Sequence, residues 1–301
     1  MGLKRSHLAG WCLFVLLVFL SAFYFLSAHL LTMPAAWGAR ISVALVEGTA
    51  FLGAAVALHF AAKGSGLRRR LRLPSRVYLS FILLLSLTAA LGAALLQMGL
   101  ARLLHLSYRG LGALYPMLVR TTDVPFPLVF LTLILIPALA EELLLRGALF
   151  PLFEEEGTAV AVAFSAVCMP LLYVYPSAAL PSLLIGLVCA LETYYTGSVW
   201  PAALTHLLCR LALYGSDLLA ARTEARPEIV VTVAVVLFLL SLFSFLRSCE
   251  GLLRDGLLEH FQKGPAGAMD STLGIVRTPG FLLFLLLYLV RLTLTLSGVW
   301  R

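Results

Sequence analysis

Two adjacent carboxylates and an arginine, in the stretch Glu141-Glu142-Leu-Leu-Leu-Arg146, are the side chains whose types and spacing could do chemistry. On a helix, Glu142 and Arg146 lie four residues apart on one face, with the acid first, which is the favourable order for an ion pair. Glu141 points about 100° away from Glu142. The spacing therefore predicts a structural Glu142–Arg146 pair and leaves Glu141 available as a general base. The alternative is an interfacial salt bridge at a helix end.

These groups close an apolar run that begins near residue 124, and ionisable groups at membrane depth are functional candidates by default. A carboxylate there can take a proton from water, and a neutral histidine can donate to an oxyanion. Of the six histidines, only His206 is predicted well inside a span, with Arg210 on the same face. No GxSxG, HExxH or GxxxxGK[ST] motif supports a serine hydrolase, a zinc protease or a P-loop enzyme.

The composition is that of a membrane protein. Hydrophobic residues make up 61% of the 301 residues and charged residues 12%, with a mean hydropathy of +0.99, whereas soluble domains average about 25% charged residues. We expect an all-α, polytopic transmembrane helical bundle of about eight to nine spans. The candidate spans are 9–31, 41–62, 77–100, 124–145, 158–175, 177–193, 199–215, 228–246 and 281–300.

The net charge of +7 is used to predict the orientation in the membrane, because the basic residues flank the predicted spans. No nucleic-acid partner is expected for the same reason. Lys4 and Arg5 precede the first span, and the loop 63–76 is arginine-rich. The positive-inside rule puts both in the cytoplasm. The predicted location is the plasma membrane of a prokaryote, with the N-terminus and the site on the cytoplasmic side and the bilayer as a partner.

The chain is divided into three parts. Residues 1–123 are predicted to hold N-terminal transmembrane helices and, at 101–122, an interfacial helix. Residues 124–215 form the core that carries the chemistry, and 216–301 form C-terminal transmembrane helices with a cytoplasmic amphipathic loop at 247–280. Glu192, at the end of the sixth span, is predicted to be interfacial. The five scattered cysteines predict no disulfide framework.

Two stretches resemble motifs of one family. Glu141–Gly147 (EELLLRG) resembles the EExxxR motif of the CPBP family, which includes CAAX prenyl endopeptidases and bacteriocin-processing or self-immunity (ABI) proteins. Tyr195–His206 (YTGSVWPAALTH) resembles the family's last motif region. The resemblance covers about 124–215. It implies an intramembrane endopeptidase of the glutamate type that uses no cofactor and no metal, with a membrane-associated protein or peptide as substrate.

Carried over to this sequence, the resemblance implies that Glu141 activates water, that Glu142 and Arg146 support it, and that His206 donates to the oxyanion. Two positions depart from the family pattern. The FxxxH motif corresponds to Phe164–Cys168, and HxxxN or HxxxD corresponds to His206–Arg210. Phe164, Cys168 and Arg210 are therefore candidate site-lining residues.

Three hypotheses follow from these departures. In the first, the protein is a protease with a rebuilt site, in which Arg210 joins His206 in holding the oxyanion. In the second, Arg210 pairs with Glu141 and locks it, which makes a pseudoprotease with a binding or scaffold role. In the third, the protein is transporter-like, although no internal repeat supports this. A zinc site from Glu141, Cys168 and His206 has acceptable ligand types but is not favoured, because the family is metal-independent.

Overall fold

The computed structural model describes residues 5–30, 36–62, 66–103, 125–173, 176–222, 227–258 and 268–297. Each predicted span falls on a helix, and the described residues contain no strand. One turn of 3-10 helix, Arg76–Tyr78, directly precedes the fourth helix. The helices are α1 (Arg5–Leu30), α2 (Ala36–Ala61), α3 (Leu67–Arg70), α4 (Leu79–Leu103), α5 (Phe126–Glu154), α6 (Thr158–Tyr173), α7 (Pro176–Thr196), α8 (Trp200–Arg222), α9 (Pro227–Arg254), α10 (Ala268–Val276) and α11 (Pro279–Leu296).

Apolar side chains on the outer surface of the helices indicate which environment surrounds the bundle. Within the described residues, α4, α5, α7, α9 and α11 each contain a stretch long and apolar enough to cross a bilayer. Only 6% of the apolar window of α9 is buried inside the protein, and side chains such as Leu240 and Phe243 are well exposed. Soluble proteins rarely expose apolar patches of this extent. The protein is therefore an integral membrane bundle of helices, as the composition predicts.

The helix with the two glutamates lies in the interior of the bundle. In α5, 61% of the apolar window is buried, and α2, α6 and α8 pack against it. The other helices form further layers, with α4 alongside α7, α8 and α9, and α1 crossing α11. Protein therefore surrounds most of α5, which keeps lipid and bulk water from its polar residues.

Helix α5 is not uniformly α-helical. Wider π turns interrupt it at Phe130–Leu135 and Leu143–Leu149, and each is followed by a proline, Pro137 or Pro151. Proline has no N–H, so the carbonyl four residues earlier loses its helical donor. π turns accompany such interruptions and are frequent at functional sites. The carboxylates therefore lie on a regular stretch between two wide turns, and the Leu133 carbonyl needs a donor from elsewhere.

Two predicted surface segments fall partly outside the described residues. The structure does not describe residues 104–122 of the predicted interfacial helix 101–122. It also does not describe residues 259–267 of the predicted loop 247–280. In the described part of that loop, α9 continues to Arg254 and α10 begins at Ala268. Helix α5 extends to Glu154, nine residues beyond the predicted end of its span at 145.

Candidate active site

Glu142 is the centre of one half of the site. Its Oε1 accepts a hydrogen bond from Arg146 Nη1 at 2.9 Å and lies 2.9 Å from His206 Nδ1. Arg146 also donates through Nη2 to the Gly186 carbonyl at 2.7 Å. Both charged side chains are fully buried. The predicted ion pair within α5 is confirmed, and it also connects α5 to α7 and α8.

Glu141 is the centre of the other half. Its Oε1 accepts from Arg210 Nη2 at 2.6 Å, and its Oε2 accepts from the Tyr173 hydroxyl. Arg210 Nη2 also donates to the Tyr173 oxygen at 2.6 Å. The side chain of Glu141 is 3% exposed. In this arrangement both oxygens of the residue predicted to be the base are already occupied by donors.

The contacts of His206 define its protonation state. Arg210 Nε lies 3.0 Å from His206 Nε2, and because a guanidinium can only donate, Nε2 must accept. The proton of the neutral ring is therefore on Nδ1, which donates to Glu142. His206 Nε2 is 3.8 Å from Glu141 Oε2, beyond hydrogen-bond range. The ring can donate to a substrate oxygen only if these contacts rearrange.

Arg210 joins the two halves of the site. Besides its bonds to Glu141 and His206, its Nη1 donates to the Leu133 carbonyl at 3.0 Å, the group that Pro137 leaves without a helical donor. Buried charges are tolerated when they are paired and hydrogen-bonded. The site meets the first part of this condition, since two carboxylates, Glu141 and Glu142, face two guanidiniums, Arg146 and Arg210. Hydrogen bonding is incomplete, because Glu142 Oε2 and Arg146 Nε have no partner among the described residues.

Helix α6 contributes a residue that the sequence analysis did not identify. Tyr173 bonds to both Glu141 and Arg210, whereas the buried Cys168 forms no hydrogen bond to these groups in the part of the chain that the structure describes. Phe164 packs between the rings of Phe153 and Phe281, with centroids at 5.2 and 5.5 Å. The sequence did contain a signal for Tyr173: it is a tyrosine in an apolar span, and a buried tyrosine hydroxyl needs a hydrogen-bond partner.

Glu192 lies elsewhere than predicted. It is 0% exposed, and its carboxyl group accepts from Thr205 Oγ1 at 2.6 Å and from Ser86 Oγ at 3.4 Å. The prediction of an interfacial residue was wrong, because this face of α7 turns inward against α4 and α8. Glu192 thus ties three helices together, and its partner Thr205 directly precedes His206 in the chain.

A small cavity gives access to the site. It reaches His206 and Arg210 past Gln97, Met169, Ile185 and Leu213, and it has room for roughly one water molecule. No three His, Cys, Asp or Glu side chains of the described residues lie close enough to hold a metal ion. The cavity therefore suits a reactant of the size of water at the polar cluster.

Gly186 is needed where α6 crosses α7. A Cβ at this position would lie 2.6 Å from the Ala166 carbonyl oxygen, which is backbone and cannot rotate away. We expect Gly186→Ala to destabilise the protein by about 1–3 kcal/mol, as overpacking does, and to displace the carbonyl that accepts from Arg146. Gly99→Ala in α4 is the control, since nothing lies within 4 Å of that Cβ. Equal unfolding midpoints of the two variants in detergent would contradict this.

A comparison with known proteins finds a match in the stretch of chain that contains the site. Residues 123–212 match the family model described as type II CAAX prenyl endopeptidase Rce1-like. No curated protein and no solved structure matches the chain. The matched residues contain both halves of the site, from Glu141 to Arg210. The part of the chain from α5 to the middle of α8 is thus similar to a type II CAAX prenyl endopeptidase domain of the Rce1-like kind, which confirms the family predicted from the two motifs.

Proposed function

We propose that this protease-like membrane protein is an endopeptidase of the glutamate type that hydrolyses a peptide bond of a membrane-associated protein or peptide. The observation that carries the proposal is the meeting of Glu141 and His206, on α5 and α8, in one buried polar cluster. These are the two residues to which the family resemblance assigns the base and the oxyanion donor. Their burial excludes bulk water, which strengthens electrostatic interactions with a reacting group.

The proposed reaction uses one water molecule. Glu141 takes a proton from it, and the oxygen attacks the scissile carbonyl carbon. The carbonyl oxygen becomes an oxyanion, to which Arg210 donates after it has left Glu141. His206 can join it only when its contacts with Arg210 and Glu142 rearrange so that a proton lies on Nε2. Collapse of the tetrahedral intermediate breaks the C–N bond, and the proton held by Glu141 passes to the leaving amine. Arg210 must move from Glu141 for this sequence to begin, since its guanidinium occupies Oε1.

Glu142 and Arg146 have a positioning role in this proposal. Glu142 holds His206 through Nδ1, and Arg146 balances the charge of Glu142 while anchoring it to the Gly186 carbonyl. Neither side chain has to touch the substrate. Lys4, Arg5 and the arginine-rich loop 63–76 favour an orientation in which the site faces the cytoplasm. In a prokaryote, the membrane would then be the plasma membrane.

A second candidate function has a specific observation in its favour. Arg210 and the Tyr173 hydroxyl each donate to one oxygen of Glu141, and Glu141 is not among the residues that line the small cavity. If this arrangement persists when a substrate binds, the protein is a pseudoprotease that binds membrane-associated peptides without cleaving them. The two functions differ in whether Arg210 leaves Glu141.

One assay separates the two functions. The full chain is reconstituted into proteoliposomes with a farnesylated peptide ending in a CAAX sequence, in water enriched in ¹⁸O. We expect the wild type to release the terminal tripeptide and to place one ¹⁸O in the new carboxylate, as hydrolysis requires. Wild-type silence combined with cleavage by Arg210→Asn would support the locked form instead. Arg254→Asn, which changes an exposed arginine, is the control for loss of positive charge.

A further inference from the structure

Four exposed arginines surround one buried arginine just before α4. Within the segment 66–79, which we call the basic segment, the exposed members are Arg68, Arg69, Arg72 and Arg76. None of these four side chains forms an ion pair with any residue that the structure describes. Four guanidiniums without an ion-pair partner among the described residues repel one another in so short a segment, and an anionic ligand would relieve this repulsion.

Contacts of Arg70 hold the basic segment in a fixed position. Arg70 is buried, forms an ion pair with Glu154 at 2.6 Å, and donates to the Thr193 carbonyl at 2.9 Å. Its own carbonyl accepts from the Val199 N–H at 2.9 Å. The segment is thereby attached to the ends of α5 and α7 and to the start of α8.

Two further bonds fix the segment on the same side. Ser198 Oγ donates to the Arg72 carbonyl at 2.7 Å, and Trp200 Nε1 donates to the Leu71 carbonyl at 2.8 Å. The backbone of the basic segment is therefore held in place before any ligand binds. Since the backbone is already in place, a ligand bound by the exposed arginines need not order it, which lowers the cost of binding.

The surroundings place the basic segment at the surface of the bilayer. The candidate membrane span that includes most of α4 begins at Arg76, in the 3-10 turn before the helix. The exposed indole of Trp200 lies beside the segment. Apolar side chains alternate with the arginines and are open to the outside, with Leu73 82% and Val77 55% exposed. Exposed leucine and valine beside tryptophan and arginine are typical of the lipid headgroup region.

We propose that the outward face of the basic segment binds the headgroups of anionic phospholipids in the surrounding leaflet. Guanidinium groups pair with phosphate through two parallel hydrogen bonds, and clusters of basic residues next to a span attract anionic lipid. Leu73 and Val77 enter the acyl region while the four arginines remain at the level of the phosphates. This inference is independent of whether the protein cleaves peptides.

The test compares lipid selectivity at the protein boundary. The full chain is reconstituted in phosphatidylcholine with spin-labelled phosphatidylglycerol or spin-labelled phosphatidylcholine, and the motionally restricted fraction is measured by electron paramagnetic resonance. We expect the wild type to prefer phosphatidylglycerol by roughly fivefold at low salt, the factor expected from one arginine near an anionic surface. The preference should fall when salt screens the charges.

Variants assign the preference to the basic segment. The quadruple variant Arg68→Gln, Arg69→Gln, Arg72→Gln and Arg76→Gln should lose most of the selectivity and keep the wild-type melting temperature, because these side chains are exposed. The control is Arg247→Gln with Arg254→Gln, two exposed arginines that already pair with Glu250, and it should retain the selectivity. A quadruple variant with wild-type selectivity would overturn the proposal, as would a wild type that prefers a soluble polyglutamate peptide to phosphatidylglycerol.

Discussion

Glu141→Gln is expected to lower the rate of peptide cleavage by about 10² or more, because an amide cannot accept the proton of water. The substitution keeps the shape of the side chain and its place in the buried cluster, so a loss of this size reports on chemistry. The measurement is initial cleavage of the farnesylated peptide in proteoliposomes, with equal amounts of folded protein.

The matched control is Glu192→Gln. It makes the same chemical change in a second fully buried glutamate, whose contacts are the hydroxyls of Ser86 and Thr205. Cleavage should decrease far less in Glu192→Gln, since this side chain does not contact Arg210 or His206 among the described residues. Equal activity of Glu141→Gln and the wild type would end the glutamate mechanism for this protein.

Arg146→Gln is expected to cost about 3–5 kcal/mol of stability, which is the usual effect of removing one partner of a buried ion pair. The change leaves the Glu142 carboxylate without its guanidinium in a site with no exposure to water. The measurement is the free energy of unfolding of the full chain in mixed micelles, from circular dichroism.

Two further variants show whether the loss comes from an unpaired charge. The double variant Glu142→Gln with Arg146→Gln removes both charges and should recover a large part of the stability. Arg254→Gln removes an exposed arginine from its 3.3 Å contact with Glu250 and should change stability by less than about 0.5 kcal/mol. If Arg146→Gln behaved like Arg254→Gln, the buried pair would not contribute as described.

The ion pair of Glu142 and Arg146 could be predicted from the sequence because it depends only on helical spacing. The wider site could not. Whether Arg210 faces Glu141 depends on how α8 packs on α5, so the sequence left that contact as one of several hypotheses. The same limit explains Tyr173, whose hydroxyl meets Glu141 only through the packing of α6.

Glu192 shows how a local rule can fail. Its position at the end of an apolar run indicates an interfacial residue, yet it lies between three helices with two hydroxyl partners. Those hydroxyls come from Ser86 and Thr205, which are far from it in sequence or on another helix. Span positions were predictable because hydropathy sets them, whereas the direction in which a polar side chain points is set by its neighbours.

The site holds equal numbers of carboxylates and guanidiniums, so its charges balance within the chain itself. An amide at position 210 would leave the Glu141 carboxylate without an opposite charge of its own among these four side chains. Arg210 thus takes the place that a bound cation would otherwise have to fill, and the cluster needs no ion from outside the bundle to balance it.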